Sequence, residues 1–314
     1  MRAEDRRRAE TIKAMLREYS RSSERLPGIE PPSALDTFVF QVTESIRRIR
    51  YVSAVADRPI SPLRMDPRSD LFDPVRAAIL RLTSGETEEA GWLIFLFTHF
   101  GRNLVSGYQL IRDIYGRLGN GGRWDWETTS RDLYEFRMWL SKNAAALKSD
   151  VATHRAFGNH RKYQSLDAWK TNGTGAAIES YVAWVKQGGS HKELFARAIK
   201  SRAGNGALAF RDLYEQMEAV RTFGRTARFD YLCMIGKCGL APIEPDSVHF
   251  QGATGPVTGA KLLFHGSELA RVPDSALEHS ANALAESLGI NKQAMEDSLC
   301  NWQKSPTMPE RFRG

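Results

Sequence analysis

A run of seven residues, Phe157–Tyr163, brackets an amide and three basic side chains between two aromatic residues. Arginine and lysine supply positive charge, and Gly158 lets backbone N–H groups approach an anion closely, so this run can hold a phosphate. A solvated basic turn anchored by the two aromatic rings would have the same composition, and both interpretations stay open. The candidate binding residues are Asn159, His160, Arg161, Lys162 and Tyr163.

A second basic cluster surrounds Gly224. If a helix begins near Arg225, then Arg228 lies on the same edge of that helix and Arg221 precedes it. Asp230 can pair with one of these arginines. The pattern therefore predicts either a surface ion pair or a second anion site.

Two glycines, Gly252 and Gly255, predict a tight turn that leads into a helix with Pro256 at its start. The pattern resembles the helix-hairpin-helix element of DNA repair glycosylases, with Gly-x-x-Gly in place of the usual Gly-x-Gly. Such a hairpin binds a DNA phosphate through backbone N–H groups and the positive end of the following helix. An ordinary glycine turn before a buried helix is the alternative. The candidate DNA-binding residues are Gly252, Thr254, Gly255, Thr258 and Lys261, together with Arg228.

A predicted helix close to residue 300 gathers several kinds of polar side chain. Three polar residues follow Asp297 by three, four and seven positions, which places a thiol, an amide and an ammonium group on one helix face with the carboxylate. A surface ion pair and a cysteine packed in the core would give the same pattern. These three residues are Cys300, Asn301 and Lys304.

Several common catalytic signatures are missing from the sequence. It has no HExxH, Gly-x-Ser-x-Gly or Walker motif, and no GxGxxG motif follows a strand. Zinc protease, serine hydrolase, nucleoside triphosphatase and Rossmann functions are therefore unsupported. The three cysteines are too few and too unevenly spaced for a disulfide framework or a zinc ribbon. We expect reduced thiols and no cofactor, and dependence on a divalent metal stays open.

The composition is that of a basic globular protein. The 314 residues include 44 Lys and Arg against 37 Asp and Glu, a net charge of +7, and 42% are hydrophobic, which is enough for a sizeable core. The longest apolar run, Trp92–Phe97, is far shorter than the ~20 residues of a membrane-spanning helix. The first residues lack the apolar core of a secretory signal. We therefore expect a cytoplasmic protein without membrane contacts.

Apolar residues recur at helical spacing along most of the chain, and few runs alternate with period two, so the sequence predicts a mainly α fold. A charged helical extension is expected over 1–33 and an α-helical domain over 34–314, with a softer internal boundary near 145–175. Asp73 and the pair Thr129-Ser130 are expected to cap helices. The predicted helices cover 1–26, 34–56, 73–82, 87–100, 104–118, 131–147, 175–187, 190–201, 207–222, 226–237, 257–266, 274–287 and 291–303.

Five blocks of the sequence, taken together, resemble the alpha-glutamyl/putrescinyl thymine pyrophosphorylases of clade 3, also called amino acid:DNA transferases. The blocks are GWLIFLFTHFG, FGNHRKYQSL, FGRTARFDYL, GATGPVTGAKLLF and MEDSLCNWQKSP. They lie between about residues 90 and 306, and the first ninety residues carry no such resemblance. The resemblance implies a phage enzyme of thymine hypermodification, active in the bacterial host cytoplasm, with the architecture of helix-hairpin-helix glycosylases.

The resemblance also implies a reaction. The pyrophosphate of 5-(pyrophosphoryloxymethyl)uracil in DNA is replaced by an amino acid or another amine, after the base has been flipped out of the helix or presented on a single strand. Cations must stabilise the leaving pyrophosphate, and a carboxylate must accept the proton of the amine. For the cations we expect His160, Arg161 and Lys162, and then Arg225.

The remaining roles fall on the predicted helix near residue 300. Asp297, or alternatively Glu296, accepts the proton, and the Cys300 thiolate can add to C6 of the uracil. Asn301 and Gln303 can contact the uracil edge, Trp302 or Tyr163 can stack on the base, and Lys304 can hold a carboxylate or phosphate. A DNA-binding accessory protein without an active site and a base-excision glycosylase are the alternative functions.

Overall fold

The computed structural model describes residues 3–148 and 155–311. Within these ranges the chain forms fourteen α-helices and no strand, with one isolated bridge between Asn103 and Gly107. The mainly α-helical fold is therefore confirmed. None of the described helices is both long and apolar enough to cross a membrane. The helices are α1 (Ala3–Ser22), α2 (Pro32–Ala56), α3 (Pro74–Thr83), α4 (Thr87–Phe100), α5 (Gln109–Tyr115), α6 (Trp126–Arg131), α7 (Leu133–Leu147), α8 (Thr174–Gln187), α9 (His191–Ser201), α10 (Gly206–Gln216), α11 (Arg225–Lys237), α12 (Gly255–His265), α13 (Asp274–Ser287) and α14 (Lys292–Trp302).

The cap predicted at Asp73 is present. The Asp73 carboxylate accepts hydrogen bonds from the backbone N–H groups of Val75 and Arg76, and Pro74 occupies the first turn of α3. Helix α4 has its predicted bounds, and Gly101 follows it with a positive φ of 69°, which glycine adopts without strain.

The helix expected over 104–118 is shorter than predicted. Asn103 Oδ1 accepts hydrogen bonds from the backbone N–H groups of Val105 and Ser106, which closes a turn before the helix. Helix α5 therefore begins only at Gln109. The sequence pattern correctly predicted a helix here but made it too long. The Asn103 side chain accepts the hydrogen bonds of backbone N–H groups at the predicted helix start, so these residues form a turn instead.

The prediction that Thr129-Ser130 caps a helix was also wrong. Both residues lie inside α6, which is capped by the side chain of Asp125. Helix α7 begins after Asp132, whose carboxylate accepts a hydrogen bond from the backbone N–H of Glu135. The helix predicted over 131–147 therefore begins at Leu133, and α6, which precedes it, was not predicted.

The chain folds into two compact units, and the first combines distant parts of the sequence. It contains the described residues up to Val52 together with those from Pro245 to Arg311, whereas the described residues between Ser53 and Glu244 form the second unit. The division into 1–33 and 34–314, with a softer boundary near 145–175, stays a prediction. Part of that softer boundary, residues 149–154, lies outside the described residues.

The first unit has one apolar core, to which α1, α2, α12, α13 and α14 contribute. Trp302 at the end of α14 is fully buried, with its ring centroid 5.1 Å from that of Phe38. Helices α12 and α14 approach so closely that a Cβ atom on Gly259 would lie 2.3 Å from the carbonyl oxygen of Leu299. From α1 the core receives Ile12, Leu16 and Tyr19, at the predicted helical spacing.

The second unit is built around α4, which is buried on nearly all sides. The ring of Phe95 stacks on that of Tyr181 from α8, with the centroids 3.8 Å apart. His99 is buried in the same aromatic core, and its Nε2 lies 3.0 Å from Thr174 Oγ1. Burial, aided by the charge of Arg161, lowers the pKa of His99 to about 3, so this imidazole is neutral near pH 7.

Candidate functional site

The run Phe157–Tyr163 is fixed to the end of α4 by its backbone. The Gly158 N–H donates to the Phe100 carbonyl at 2.7 Å. A Cβ atom on Gly158 would lie 2.8 Å from the backbone nitrogen of Arg102, so only glycine allows this close approach. The sequence therefore uses Gly158 for packing between two backbone segments, and this contact sets the position of the residues that follow.

Arg161 is a buried part of the fold. Its Nε donates to the carbonyl of Thr98 at 2.7 Å, and its Nη2 donates to Asp230 Oδ2 at 2.8 Å. Asp230 therefore pairs with Arg161, and not with an arginine of its own helix as the sequence predicted. Because these donors are occupied and the side chain is buried, Arg161 positions the loop and is not free to bind a substrate.

The neighbours of Arg161 face the solvent. Asn159, His160 and Lys162 are exposed, and Tyr163 is 88% exposed. Lys162 Nζ lies 5.1 Å from the centre of the Tyr163 ring. This exposed group presents the Lys162 ammonium and an aromatic face together, which suits contact with a nucleic-acid strand.

The arginines of α11 rest on aromatic rings. The guanidinium carbon of Arg225 lies 5.0 Å from the centre of the Phe229 ring, and that of Arg228 lies 4.5 Å from the centre of the Tyr214 ring. Arg228 also donates to the Tyr214 carbonyl. Both side chains are partly exposed, so their charge remains accessible at one edge of the second unit.

The polar residues predicted on one face of α14 do lie together. Asn301 donates to Asp297 Oδ1 at 2.8 Å, and Lys304 donates to Asn301 Oδ1 at 3.0 Å. The sequence did not indicate the fourth member of this cluster, Arg48 of α2, whose Nη2 donates to Asp297 Oδ2 at 2.6 Å. The Arg48 guanidinium therefore orients the Asp297 carboxylate, and both amide atoms of Asn301 already form hydrogen bonds.

Two further residues of α14 differ in how accessible they are. Trp302 is buried and donates from Nε1 to the Pro306 carbonyl, so it cannot stack on a base as predicted, and Tyr163 is left for that role. Cys300 is partly exposed, and a Cβ atom on Gly255 would lie 2.8 Å from its sulfur. Gln303 donates to the backbone carbonyl of Cys300.

The predicted glycine turn leads directly into α12. Gly252 has a φ of +76°, and the helix begins at Gly255 with Pro256 in its first turn. The Thr254 side chain makes no capping hydrogen bond, and Thr258 and Lys261 are partly exposed. The preceding residues 238–254 form no helix, so the turn has a helix on one side only. The helix-hairpin-helix architecture stays a prediction.

The candidate residues fall into both compact units. His160, Lys162 and Arg225 belong to the second unit, whereas Asp297 and Lys304 belong to the first. The convergence of these two groups on one substrate stays a prediction. In the described parts of the chain, no three His, Cys, Asp or Glu side chains are grouped as metal ligands would be.

The second unit contains two cavities that share Arg81 and Arg123 and that sequence reasoning missed. We call the first, of about 470 Å³, the glycine–arginine cavity. The second, of about 510 Å³, is called the acidic cavity because five carboxylates line it. The glycine–arginine cavity is lined by Pro62, Met65, Asp66, Pro67, Arg68, Arg81, Gly116, Gly119, Gly121, Gly122 and Arg123. The carboxylates of the acidic cavity are Glu86, Glu88, Glu89, Asp125 and Glu127.

The loop that forms the glycine–arginine cavity has an unusual backbone. Gly119, Gly121 and Gly122 have φ between +70° and +79°, and Arg117 and Leu118 also have positive φ. Residues other than glycine rarely adopt this backbone conformation. In the sequence, the same segment predicted only the end of a helix. Three glycines between two arginines were the signal that could have identified it as an anion-binding loop.

A buried hydrogen-bond network begins at the acidic cavity. Glu88 Oε2 accepts hydrogen bonds from Nδ1 and the backbone N–H of His191, at 2.7 and 2.9 Å. His191 Nε2 lies 2.6 Å from the Tyr181 hydroxyl, which lies 2.8 Å from that of Tyr231. Burial raises the pKa of Glu88, but the hydrogen bonds from His191 outweigh it and bring the pKa to about 2. Glu88 is therefore ionised near neutral pH.

The adjacent carboxylate, Glu89, has a different environment. Its two oxygens accept hydrogen bonds from the Tyr115 hydroxyl at 2.6 Å and the Trp126 N–H at 2.7 Å. Burial nevertheless raises the pKa of Glu89 above the ordinary value, against the effect of these bonds. Neighbouring carboxylates with pKa values shifted in opposite directions are typical of sites that transfer protons.

The sequence matches a protein-family model described as Alpha-glutamyl/putrescinyl thymine pyrophosphorylase clade 3 over residues 33–314. The match confirms the resemblance given by the five blocks and extends it toward the N-terminus, from about residue 90 to residue 33. No curated protein and no solved structure matches the chain.

Proposed function

Because the chain belongs to the alpha-glutamyl/putrescinyl thymine pyrophosphorylase clade 3 family, we propose that it is a DNA-modifying transferase that exchanges a diphosphate for an amine. The substrate in this proposal is 5-(pyrophosphoryloxymethyl)uracil in DNA. The bond between the C5 methylene carbon and the diphosphate oxygen breaks, and its electrons leave with the diphosphate. A carbon–nitrogen bond to the amine forms, and the amine loses a proton to a carboxylate. The family match over residues 33–314 is the observation that carries this proposal.

The exposed group beside Arg161 supports a role in holding DNA. His160 and Lys162 can contact phosphates, and Tyr163 offers a free aromatic face to an unstacked base. Arg225 and Arg228 add accessible positive charge in the same unit. Phosphate contacts of this kind favour binding without reading sequence, and they would offset the cost of extruding the target base.

The start of α12 supports a phosphate contact in the first unit. Gly252 is exposed and a Cβ atom on it would have no atom within 4 Å, so the backbone of the turn is open there, and the helix dipole directs partial positive charge toward the turn. Lys261 lies on the same helix and is partly exposed. In this proposal the turn serves the purpose of the hairpin in helix-hairpin-helix glycosylases, although a helix stands on one side of it only.

The cluster on α14 supports chemistry at a carboxylate. Asp297 is the first candidate to accept the proton of the amine, and Glu296 is the second. Arg48 donates two hydrogen bonds to Asp297 Oδ2, which fixes the orientation of the carboxylate. Lys304 is exposed and its ammonium group donates to Asn301 Oδ1 at 3.0 Å, and in this proposal it holds the carboxylate of an incoming amino acid.

One experiment separates this function from its alternatives. DNA that contains 5-(pyrophosphoryloxymethyl)uracil is incubated with the full chain and with putrescine, glutamate, glycine or serine, then digested to nucleosides for mass spectrometry. An aminated thymidine with release of pyrophosphate is the expected result. Abasic sites would instead identify a base-excision glycosylase. An unchanged nucleoside profile with every amine, together with DNA binding, would identify an accessory protein.

A further inference from the structure

We propose that the glycine–arginine cavity is the binding site of the diphosphate group, both as it leaves the DNA and as free pyrophosphate. The inference deepens the proposed function and rests on it for the identity of the substrate. None of the residues that the sequence pointed to lines this cavity. Three features of the cavity support this assignment: its arginines, its backbone N–H groups and its position beside the acidic cavity.

The arginines give the cavity an excess of positive charge. Three arginines and one carboxylate line it, and that carboxylate, Asp66, is paired with Arg68 at 2.9 Å. Arg81 is bound to Glu86 through Nη1, but its buried Nε has no hydrogen-bond partner in the described parts of the chain. Arg123 forms no hydrogen bond or ion pair with any described residue. One whole guanidinium group and part of another are therefore available to an anion.

The backbone adds donors that need no side chain. Gly121, Gly122 and Arg123 follow one another, and none of their N–H groups donates to a described residue. The next N–H, that of Trp124, donates to the Tyr115 carbonyl at 2.8 Å and anchors the loop. A Cβ atom on Gly121 would have no atom within 4 Å, so open space lies in front of this backbone. Successive unpaired N–H groups in such a loop form a concave anion site.

The position of the cavity favours a diphosphate over smaller anions and over ligands whose negative charges lie far apart. Arg81 and Arg123 line both cavities, so a bound anion lies directly beside the carboxylates of the acidic cavity. Those carboxylates repel anions, so a diphosphate would bind on the glycine–arginine side of the shared arginines and not in the acidic cavity. Donors on two sides, the arginines and the loop backbone, match a ligand with two phosphoryl groups better than a single phosphate.

The test is the binding of inorganic pyrophosphate to the full chain by titration calorimetry, with orthophosphate and ADP as the other ligands. We expect pyrophosphate to bind more tightly than either. The variant Arg123→Ala should weaken pyrophosphate binding about tenfold or more, since it removes a charge-assisted contact, and Arg123→Lys should weaken it less. The matched control is Lys200→Ala, which removes an exposed charge from α9 in the same unit and should leave the affinity unchanged.

A second variant tests the backbone donors without changing the charge. Gly121→Ala strains a residue with a φ of +75° and should weaken pyrophosphate binding, while circular dichroism remains that of the wild type. Equal binding of orthophosphate, tighter binding of ADP, or unchanged pyrophosphate affinity in both Arg123→Ala and Gly121→Ala would each overturn the assignment.

The failure of this assignment can be told apart from the failure of the proposed function. If pyrophosphate binding depends on Arg123 but no amine is transferred to DNA, the cavity is a diphosphate site and the transferase proposal falls. If transfer occurs and Arg123→Ala changes neither the rate nor inhibition by added pyrophosphate, the transferase proposal stands and the assignment of the cavity falls.

Discussion

Arg161 and Lys162 are neighbours in the chain with opposite environments. Arg161 is buried and bound to Thr98 and Asp230, whereas Lys162 is exposed beside the Tyr163 ring. The positive charge of Arg161 therefore contributes to stability, whereas that of Lys162 is available for binding. The two side chains make separable predictions.

We expect Lys162→Ala to weaken DNA binding equally for all sequences and to lower the slope of log affinity against log salt by about 1, because one phosphate contact is lost. Its free energy of unfolding should change by less than about 0.5 kcal/mol. Filter binding at several salt concentrations and urea denaturation measure the two effects. An unchanged salt slope would contradict a phosphate contact at Lys162.

Arg161→Met, the paired variant, should instead lower the free energy of unfolding by about 2 kcal/mol, because the Thr98 carbonyl and Asp230 lose their donor. Urea denaturation measures the loss. Wild-type stability in this variant would mean that Arg161 does not fix the loop to α4 and α11.

Asp297 carries the third prediction at this scale. Asp297→Asn keeps the shape of the side chain but removes the charge that accepts a proton, so we expect the rate of amine transfer to fall by a factor of about 100 or more. Because both Asp297 and Arg48 are about one-third exposed, the loss of stability should be only about 1 kcal/mol. Mass-spectrometric assay of the aminated nucleoside measures the rate, and Glu296→Gln is the control. A slower Glu296→Gln variant with a normal Asp297→Asn variant would reverse the assignment.

The sequence predicted which residues lie together better than it predicted which of their side chains are exposed. The spacing along α14 correctly placed Asp297, Asn301 and Lys304 together, because neighbours on a helix are fixed by its period. The sequence could not show that Trp302 is buried or that Arg48 pairs with Asp297, since both depend on a helix that lies far away in the chain.

At the scale of elements, the packing of α12 on α14 depends on Gly259, which has no side chain. A Cβ atom on Gly259 would lie 2.3 Å from the Leu299 carbonyl oxygen, and a backbone atom cannot move aside as the tip of a flexible side chain can. Gly259→Ala should therefore lower the free energy of unfolding by about 2 kcal/mol or more. Gly224→Ala is the control, because no atom lies within 4 Å of its added Cβ. Urea denaturation of both variants measures the difference, and equal stability would contradict the close contact.

Helix starts that depend on a local cap can be predicted from the sequence, whereas the shape of a loop cannot. Asp73 caps α3 as expected because a cap is a local contact between residues two and three positions apart. The turn at Asn103 and the caps at Asp125 and Asp132 follow the same rule, and weighing them against the hydrophobic pattern would have corrected two helices. The sequence identified the loop Gly119–Arg123 only as a break between helices, because residues from other segments line the rest of its cavity.

At the scale of the whole molecule, stability should depend on acid through His99. The folded pKa is about 3 against an ordinary value of 6.5, so between these pH values only the unfolded chain takes up this proton. The free energy of unfolding should therefore fall as the pH drops below 6.5, by about 1.4 kcal/mol per pH unit for one proton. Glu88 adds a loss in the same direction between pH 4.5 and about 2, because its folded pKa is the lower one.

Urea denaturation between pH 7.5 and 4 tests this dependence. His99→Gln replaces the imidazole by a group that does not titrate, so its stability should fall less steeply between pH 6.5 and 4.5 than that of the wild type. Equal slopes in the two proteins would show that another group controls the acid sensitivity.

The division of the chain into units was the least predictable feature at this scale. The compact units divide at Val52 and Pro245, and the boundary near 145–175 that the glycine-bearing stretch suggests stays a prediction. The first of these positions lies inside α2, where the helical pattern continues without a break. A boundary set by contacts between distant segments leaves no mark in local composition.

The split origin of the first unit has a consequence for synthesis on the ribosome. When α1 and α2 emerge, the helices that complete their core, α12, α13 and α14, have not yet been translated. Roughly 190 residues separate the two segments, which corresponds to about 10 to 40 s at ordinary elongation rates. During that interval the nascent chain presents an uncovered apolar face, and the intervening unit can fold first.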